Sequence, residues 1–228
     1  MGVLMIVGYG PGISQAVAVR FAREGYRLAL VARRSDKLEE AVTHLAADGI
    51  LAGAYPADAS DPEAIRHVVA SVRRDLGPVS AVVWTAFRSG DVRNVLETRP
   101  EDVGRVFDVG VAGLLACVQE VLEDLKSSAG SVLVANGALG ENTTDADRYA
   151  KYLNNDGVAL ENSAKSKLVG VLAERLREFG IYVGEVTIAG AVSGTATADP
   201  SAIPPERIAN EFWSLTQSRD TTRVRMTP

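Results

Sequence analysis

Short apolar stretches alternate along the chain with longer segments in which apolar residues recur every three or four positions. The first apolar stretch covers residues 3–7 and precedes a glycine-dense turn, after which the spacing becomes helical. Further strand patterns cover residues 26–32, 50–55, 80–84, 131–135 and 181–188, and a short tail at 222–226 closes the series. Because strand and helix patterns alternate throughout, the sequence predicts a parallel sheet that is covered by helices on both faces.

Helical patterns fill the segments between these strands. They cover residues 35–47, 61–76, 99–125, a segment that ends near residue 179, and 205–216. Residues 140–157, between the fifth strand and the helix that follows, are polar and irregular in pattern. We therefore expect an α/β fold, a doubly wound parallel sheet of about seven strands, in a single domain spanning residues 1–228. Ligands of such sheets lie beyond the carboxyl ends of the strands, at the switch point.

The first turn carries the strongest binding signal in the chain. Gly8, Gly10 and Gly12 stand between the first strand and the helix that begins near Ile13. Glycine lets the backbone turn and approach a ligand without a Cβ in the way, and a helix N-terminus offers N–H groups to a phosphate. We expect a dinucleotide phosphate to bind here; the alternative is a glycine-rich turn that binds nothing.

The end of the second strand bears on the choice of dinucleotide. An acidic residue at this point bonds the 2′-hydroxyl of NAD(H), whereas arginine accommodates the 2′-phosphate of NADP(H). The chain has Ala32 at this position, followed by Arg33 and Arg34. We therefore expect NADP(H) to be preferred over NAD(H), because a guanidinium can hold a phosphate with two hydrogen bonds. The alternative is a solvated pair of surface arginines.

Composition narrows the possible partners. The net charge is −5 and the pI is near 5.2, which argues against nucleic acid as a partner. No apolar run is long enough to span a membrane, and no signal peptide is evident. Cys117 is the only cysteine, as suits a reducing cytoplasm. His44 and His67 fall on separate predicted helices, so we expect no metal site.

Taken together, these motifs resemble those of the short-chain dehydrogenases/reductases. The run Gly8-x-x-x-Gly12-Ile13-Ser14 is similar to the family's Gly-x-x-x-Gly-Ile-Gly motif, with Ser14 in place of the last glycine. Residues 165–170 resemble the segment that begins at the family's catalytic lysine. The resemblance implies a Rossmann-type fold and oxidoreduction of a carbonyl or alcohol substrate with a nicotinamide dinucleotide. It also implies a homodimer or homotetramer through the predicted helices at 99–125 and 165–179.

Further cofactor contacts follow from this resemblance alone. They are expected at Asp58 and Ala59, near the adenine; at Ala86, after the fourth strand; at Lys165, on the nicotinamide ribose; and at Gly190, in the turn after the sixth strand.

The catalytic positions depart from the family. The resemblance implies a tyrosine that protonates the alkoxide left by hydride transfer, a lysine four residues later, a serine that bonds the substrate carbonyl and an asparagine that holds a water. Lys165 is present, but Glu161 stands at the tyrosine position. Gly137 and Gly110 stand at the serine and asparagine positions.

A relocated tyrosine is one way to restore the proton donor. The spacing from Gly137 to Glu161 is about twice the family's, so residues 140–157 are expected to be an insertion, and it carries Tyr149 and Tyr152. A phenol on this segment could reach the nicotinamide pocket, and Tyr149 is the first candidate. The alternative is that both tyrosines pack the segment or line a subunit contact.

Two other side chains near the pocket are open to two interpretations. Asn136 could donate to a carbonyl as the serine does, or be a structural amide at a strand end. Glu161 could be a buried acid, but an i,i+4 ion pair with Lys165 is the expected arrangement and would leave it ionised.

Two function classes remain. The first is an NADP(H)-dependent oxidoreductase with a degenerate or rearranged site that uses Lys165, Tyr149 and Asn136. The second is a dinucleotide-binding protein without redox chemistry, acting as a sensor, scaffold or partner subunit. A lyase or isomerase that reuses the pocket is a third, weaker hypothesis.

Overall fold

Parallel strands order the whole molecule. The computed structural model describes residues 2–88, 92–195 and 198–228. Within these residues the strands are β1 (Val3–Val7), β2 (Arg27–Ala32), β3 (Ala52–Pro56), β4 (Val79–Trp84), β5 (Ser131–Gly137), β6 (Tyr182–Ile188) and β7 (Arg223–Met226). They form a parallel sheet in the order β3-β2-β1-β4-β5-β6-β7. The predicted doubly wound sheet of about seven strands is confirmed.

Helices connect the strands and cover both faces. They are α1 (Ile13–Ala22), α2 (Ser35–Ala47), α3 (Pro62–Asp75), α4 (Pro100–Val103), α5 (Leu114–Glu120), α6 (Leu122–Ser128), α7 (Thr144–Leu153), α8 (Asp156–Leu176) and α9 (Pro205–Ser218). Short 3₁₀ turns cover Gly104–Val106, Ala138–Gly140 and Arg177–Phe179, and a π-helical turn covers Asp108–Gly113. Among the described residues, no helix is both long and apolar enough to cross a bilayer.

The central strand β1 explains why two cores form. All five of its residues are fully buried, and their side chains alternate between the two faces of the sheet. Val3, Met5 and Val7 pack with α3, α5 and α8, whereas Leu4 and Ile6 pack with α1, α2 and α9. A strand buried on both faces needs a continuous apolar run, which is the pattern at the start of the chain.

The prediction of one long helix over residues 99–125 is wrong, because the segment is not a continuous α-helix. The structure divides this segment into α4, a 3₁₀ turn, the π-helical turn and α5, with α6 continuing beyond it. Glycines permit close approaches here. A Cβ on Gly113 would lie 3.2 Å from the Ala59 carbonyl carbon, and one on Gly110 would lie 2.9 Å from Glu161 Cγ. The π-helical turn lets the chain bend around these neighbours.

Residues 140–157, predicted to be irregular, contain helix α7. The Thr143 hydroxyl caps it by accepting a hydrogen bond from the Ala146 N–H, and Asn154 ends it in the left-handed conformation. Ala146 and Ala150, four residues apart, form its buried face. The pattern was missed because two small alanines give little apolar contrast in a charged segment.

Candidate functional site

The glycine turn after β1 is held tightly against the end of β4. Gly8 has φ +92°, and a Cβ there would lie 2.6 Å from Ala86 Cα. The Thr85 hydroxyl hydrogen-bonds the carbonyls of Val7 and Gly8, at 3.1 and 3.0 Å. Only glycine satisfies both the positive φ and this approach. The carboxyl ends of β1 and β4 therefore meet at a fixed point, where the strand order reverses.

The second half of the turn opens the N-terminus of α1. The Ser14 hydroxyl accepts a hydrogen bond from the Gly10 N–H and donates one to the Gly10 carbonyl, at 2.8 Å each. Gly12 has φ +89° and precedes Ile13, the first residue of α1. No side chain of the described residues caps this helix, so its first N–H groups stay available to an anion.

A groove of about 660 Å³ continues from this turn between α1 and α9. Gly12, Ser193 and Gly194 line its end next to the turn. The expected phosphate position is therefore open to solvent.

Arg33 and Arg34 differ in what they contact. The Arg34 guanidinium forms two hydrogen bonds with the Asp36 carboxylate, at 3.2 and 2.7 Å. Arg33 is exposed and makes no hydrogen bond or ion pair within the described part of the chain. Hydrogen bonds from the Ser60 N–H and hydroxyl hold the pKa of Asp58 below its ordinary value, and the Arg33 charge adds to this effect. Arg33 and Asp58 thus lie near one another at this edge of the sheet.

Lys165 and Glu161 lie one turn apart on α8 but do not form the expected ion pair. Glu161 is fully buried and Lys165 is 2% exposed. Glu161 Oε2 accepts a hydrogen bond from the Arg88 N–H at 3.1 Å, while its Oε1 lies against Gly110 without a hydrogen bond. The Lys165 ammonium makes no hydrogen bond or ion pair with a described residue. The ion-pair interpretation is therefore corrected: the carboxylate turns toward the space that a side chain at Gly110 would fill.

Burial dominates the electrostatics of this pair. It raises the pKa of the Glu161 carboxyl above its ordinary value, and the Lys165 charge opposes the shift only in part. It also lowers the pKa of the Lys165 ammonium, with Glu161 and Glu185 opposing. Both groups are therefore closer to their neutral forms than they would be in water.

The Asn136 side chain forms its hydrogen bonds with other residues of the protein. Its Nδ2 donates to the Asn162 carbonyl at 2.9 Å and to Glu185 Oε1 at 3.1 Å. Its Oδ1 accepts from the Gly137 N–H at 3.1 Å. Both amide protons are thereby used, which favours the structural role for Asn136 over donation to a substrate.

Tyr149 and Tyr152 lie on the outer surface of α7. They are 55% and 81% exposed, and their rings stack with centroids 6.1 Å apart. Neither hydroxyl makes a hydrogen bond with a described residue, and neither is brought to Lys165. Gly190 lies at the far side of the site, where a Cβ would be 3.0 Å from Pro228 Cγ.

Comparison with known proteins decides the family. A model of the family described as short chain dehydrogenase matches residues 2–149, which is more than half of the 228-residue chain. The chain belongs to the short-chain dehydrogenase family.

Curated relatives in this family are moderately similar. The chain is 32% identical over 150 residues to 2,3-dihydro-2,3-dihydroxybenzoate dehydrogenase of Bacillus subtilis (strain 168). That alignment covers 65% of this chain and only 57% of the Bacillus protein. The dehydrogenase subunit BbsC of Thauera aromatica is 28% identical over 196 residues, covering 86% of this chain and 75% of that protein.

Solved structures show the same fold. The alcohol dehydrogenase of Thermococcus sibiricus, complexed with 5-hydroxy-NADP, has a TM-score of 0.83 and 22% identity, covering 100% of this chain and 96% of that one. L-sorbose reductase of Gluconobacter frateurii, complexed with NADPH and L-sorbose, has a TM-score of 0.84 and 20% identity, covering 99% and 95%. At these identities the likeness concerns the fold.

Glu185 lies beside Asn136 and is a buried charged residue that the sequence patterns did not single out. It is buried in β6, where its Oε1 accepts from Asn136 Nδ2 and from the Thr187 hydroxyl. Its Oε2 makes no hydrogen bond and lies 3.7 Å from Arg223 Nε. A glutamate inside an apolar strand was the available signal, because a buried carboxylate needs partners.

Proposed function

We propose that this chain binds NADP(H) at the carboxyl edge of the sheet and catalyses little carbonyl reduction. The binding half rests on the open N-terminus of α1, on Arg33 and on the absence of a carboxylate at Ala32. Nicotinamide dinucleotides in the two solved neighbours support the cofactor class.

One observation carries the catalytic half of the proposal. The side chain at the family's tyrosine position, Glu161, is fully buried and turned toward Gly110, and neither phenol of α7 contacts Lys165. A reduced carbonyl needs a proton, and loss of a general acid lowers a rate by roughly a hundredfold or more. The protein then acts chiefly as a dinucleotide-binding sensor, scaffold or partner subunit.

The experiment is a titration of the protein with NADPH, NADH and NADP⁺, followed by a broad carbonyl assay with each reduced cofactor. We expect submillimolar NADPH binding, weaker NADH binding and turnover at least a hundredfold below an active family member assayed in parallel. Brisk reduction of any carbonyl would overturn the catalytic half, and an absence of NADPH binding would overturn the binding half.

A slow NADP(H)-dependent oxidoreductase with a rearranged acid is the second candidate. The raised pKa of Glu161 favours it, because the carboxyl keeps its proton to a higher pH than an exposed one. A movement of α7 that brings Tyr149 inward would serve the same end. Any turnover that is found should then fall in Glu161→Gln, or in a Tyr149→Phe and Tyr152→Phe double variant, and the variant that loses it identifies the donor.

Location and assembly belong to the same proposal. Cys117 is the single cysteine of the chain and is buried, so the fold does not depend on a disulfide, and we propose the cytoplasm. We further propose a homodimer or homotetramer.

A further inference from the structure

Glu185 is a buried carboxylate that the proposed dinucleotide site does not use. It lies on β6 and is 1% exposed, and its Oε2 is buried without a hydrogen bond. Val183, two residues earlier on the same face of the strand, packs in the core that includes α8, so Glu185 faces α8 as well. A buried charge is costly unless neighbouring groups compensate it, so the groups around this carboxylate indicate what it does.

Asn136 joins the Glu185 carboxylate to α8. Its Nδ2 donates to Glu185 Oε1 at 3.1 Å and to the Asn162 carbonyl at 2.9 Å. Strand β5 and the helix are packed closely at this point, because a Cβ on Gly137 would lie 2.6 Å from Asn162 Nδ2. The first contact therefore fixes Glu185 next to the backbone of α8 at residue 162.

Arg223 joins the same carboxylate to the next turn of the helix. Its guanidinium donates to the Ser166 carbonyl at 2.6 Å, and its Nε lies 3.7 Å from Glu185 Oε2. Asn162 and Ser166 are four residues apart on α8, and the turn between them carries Lys165. The two contacts thus hold the Glu185 carboxylate against the turn that carries the buried lysine.

Lys165 needs a counter-charge because it is only 2% exposed. Burial lowers the pKa of its ammonium, and the charges of Glu161 and Glu185 oppose that shift. Glu161 acts from the same helix, whereas Glu185 acts from the sheet. The other charged groups near this turn, among the described residues, are Arg223 on β7 and, beyond Glu161, the ion pair of Arg88 with Asp108.

We propose that Glu185 is a positioning residue of the dinucleotide site, whose buried carboxylate is the counter-charge that keeps the Lys165 ammonium available to the dinucleotide. The inference rests on the proposed dinucleotide site, in which Lys165 is expected on the nicotinamide ribose. Glu185 acts through the lysine and does not contact the ligand, because Asn136, Thr187 and Arg223 surround its carboxylate. Asn136 then serves to hold Glu185 in place.

The test follows the titration of Lys165 directly, by NMR of protein labelled with ¹³C at the lysine Cε. The variant Lys165→Met assigns the signal. A nearby negative charge favours the ammonium, so Glu185→Gln should lower the pH at which Lys165 titrates by about one unit. The new amide keeps an oxygen acceptor for Asn136 and Thr187, so we expect the fold to be retained. A change smaller than about half a unit would overturn the proposal.

The affinity for NADP⁺ gives a second readout. The ammonium is present below its pKa and is lost as the pH rises, so Glu185→Gln should lose affinity at a lower pH than the native chain does. Between the two titration midpoints the variant should bind NADP⁺ about tenfold more weakly, whereas well below both midpoints the two affinities should agree. A structural defect would weaken binding equally at every pH, and that result would contradict the proposal.

Two further variants separate charge from structure. Arg223→Gln removes the cation beside Glu185 and should raise the pH at which Lys165 titrates, which is the opposite of the effect of Glu185→Gln. An unchanged or lower titration in Arg223→Gln would count against the proposal, and this variant decides alone if Glu185→Gln does not fold. Glu174→Gln, at an exposed carboxylate of α8, should leave both the titration and the affinity unchanged.

Failure of this inference and failure of the proposed function give different results. If the native chain does not bind NADP⁺, the proposed function fails and this inference falls with it. If NADP⁺ binds but Lys165 titrates at the same pH in the native chain and in Glu185→Gln, the Glu185 proposal alone is overturned.

Discussion

Arg33 and Arg34 are adjacent in sequence but unequal as phosphate ligands. Arg34 is already engaged by Asp36, whereas Arg33 makes no hydrogen bond or ion pair among the described residues. Charge-assisted hydrogen bonds contribute about 1.5–3 kcal/mol, which corresponds to about tenfold or more in affinity. We therefore expect Arg33→Ala to reduce the preference for NADPH over NADH by about tenfold, measured by nicotinamide fluorescence titration.

Arg34→Ala is the matched control for this first prediction. It removes the same charge one residue away but disrupts only a surface ion pair, so the cofactor preference should change by less than threefold or so. Equal losses in the two variants would show that general positive charge, rather than Arg33 itself, selects the cofactor.

We expect the titration of Glu161 to make the free energy of unfolding depend on pH. Its pKa is raised by burial, so the folded chain holds this proton more tightly than the unfolded chain does. The stability that the protonated carboxyl contributes is present at low pH and is lost as the pH rises from the ordinary value of 4.5 toward the raised pKa. Glu161→Gln should remove that loss, which urea unfolding at a series of pH values would detect.

The exposed residue Glu178 supplies the comparison for this titration. Glu178→Gln makes the same substitution at the surface and should leave the slope of unfolding free energy against pH as it is in the native chain. A native-like slope in Glu161→Gln would mean that another group causes it.

At the scale of elements, the π-helical turn and α8 are fitted to one another. A Cβ on Gly110 would lie 2.9 Å from Glu161 Cγ and closer still to Oε1. We expect Gly110→Ala to lower the free energy of unfolding by about 1–3 kcal/mol through overpacking. In a Glu161→Ala background the same change should cost much less, which a double-mutant cycle would measure.

Gly104 is the natural control for this cycle. It is helical, with φ −54°, and nothing lies within 4 Å of a Cβ built there. Gly104→Ala should be neutral or slightly stabilising, since alanine is the better helix former. An equal loss at both glycines would point to backbone strain instead of the contact with Glu161.

Local patterns predicted the elements better than they predicted the site. The apolar run of β1 and the glycines after it act within a few residues, so the sheet and the glycine turn that follows β1 could be predicted from the sequence alone. The direction of the Glu161 side chain depends on Gly110, and the place of Asn162 depends on Gly137. Such pairs meet only when separate elements pack, so the i,i+4 rule alone predicted an ion pair that the described residues do not form.

At the scale of the whole molecule, a second copy could contact only the apolar side chains that the chain's own core leaves exposed. In the segment predicted to form the interface, Leu114, Val118 and Val121 are buried in the chain's own core, whereas Leu115 and Leu122 are only partly covered. The chain's own core therefore already covers part of the apolar surface that this segment could offer to a second copy.

Exposed apolar side chains on α8 support the homo-oligomer and give its test. Val171 is 47% exposed on a helix whose other face packs in the core, and such positions are favoured at interfaces. We expect light scattering of the native chain at micromolar concentration to give a multiple of 24.1 kDa. Val171→Arg should shift the mass toward the monomer with NADPH affinity retained, because the change is confined to the outer surface.

Leu51→Arg places the same charge at an exposed leucine beside β3, at the far edge of the sheet, and should leave the oligomer intact. A monomeric native chain would contradict the assembly outright, and dissociation by both variants would place the interface elsewhere.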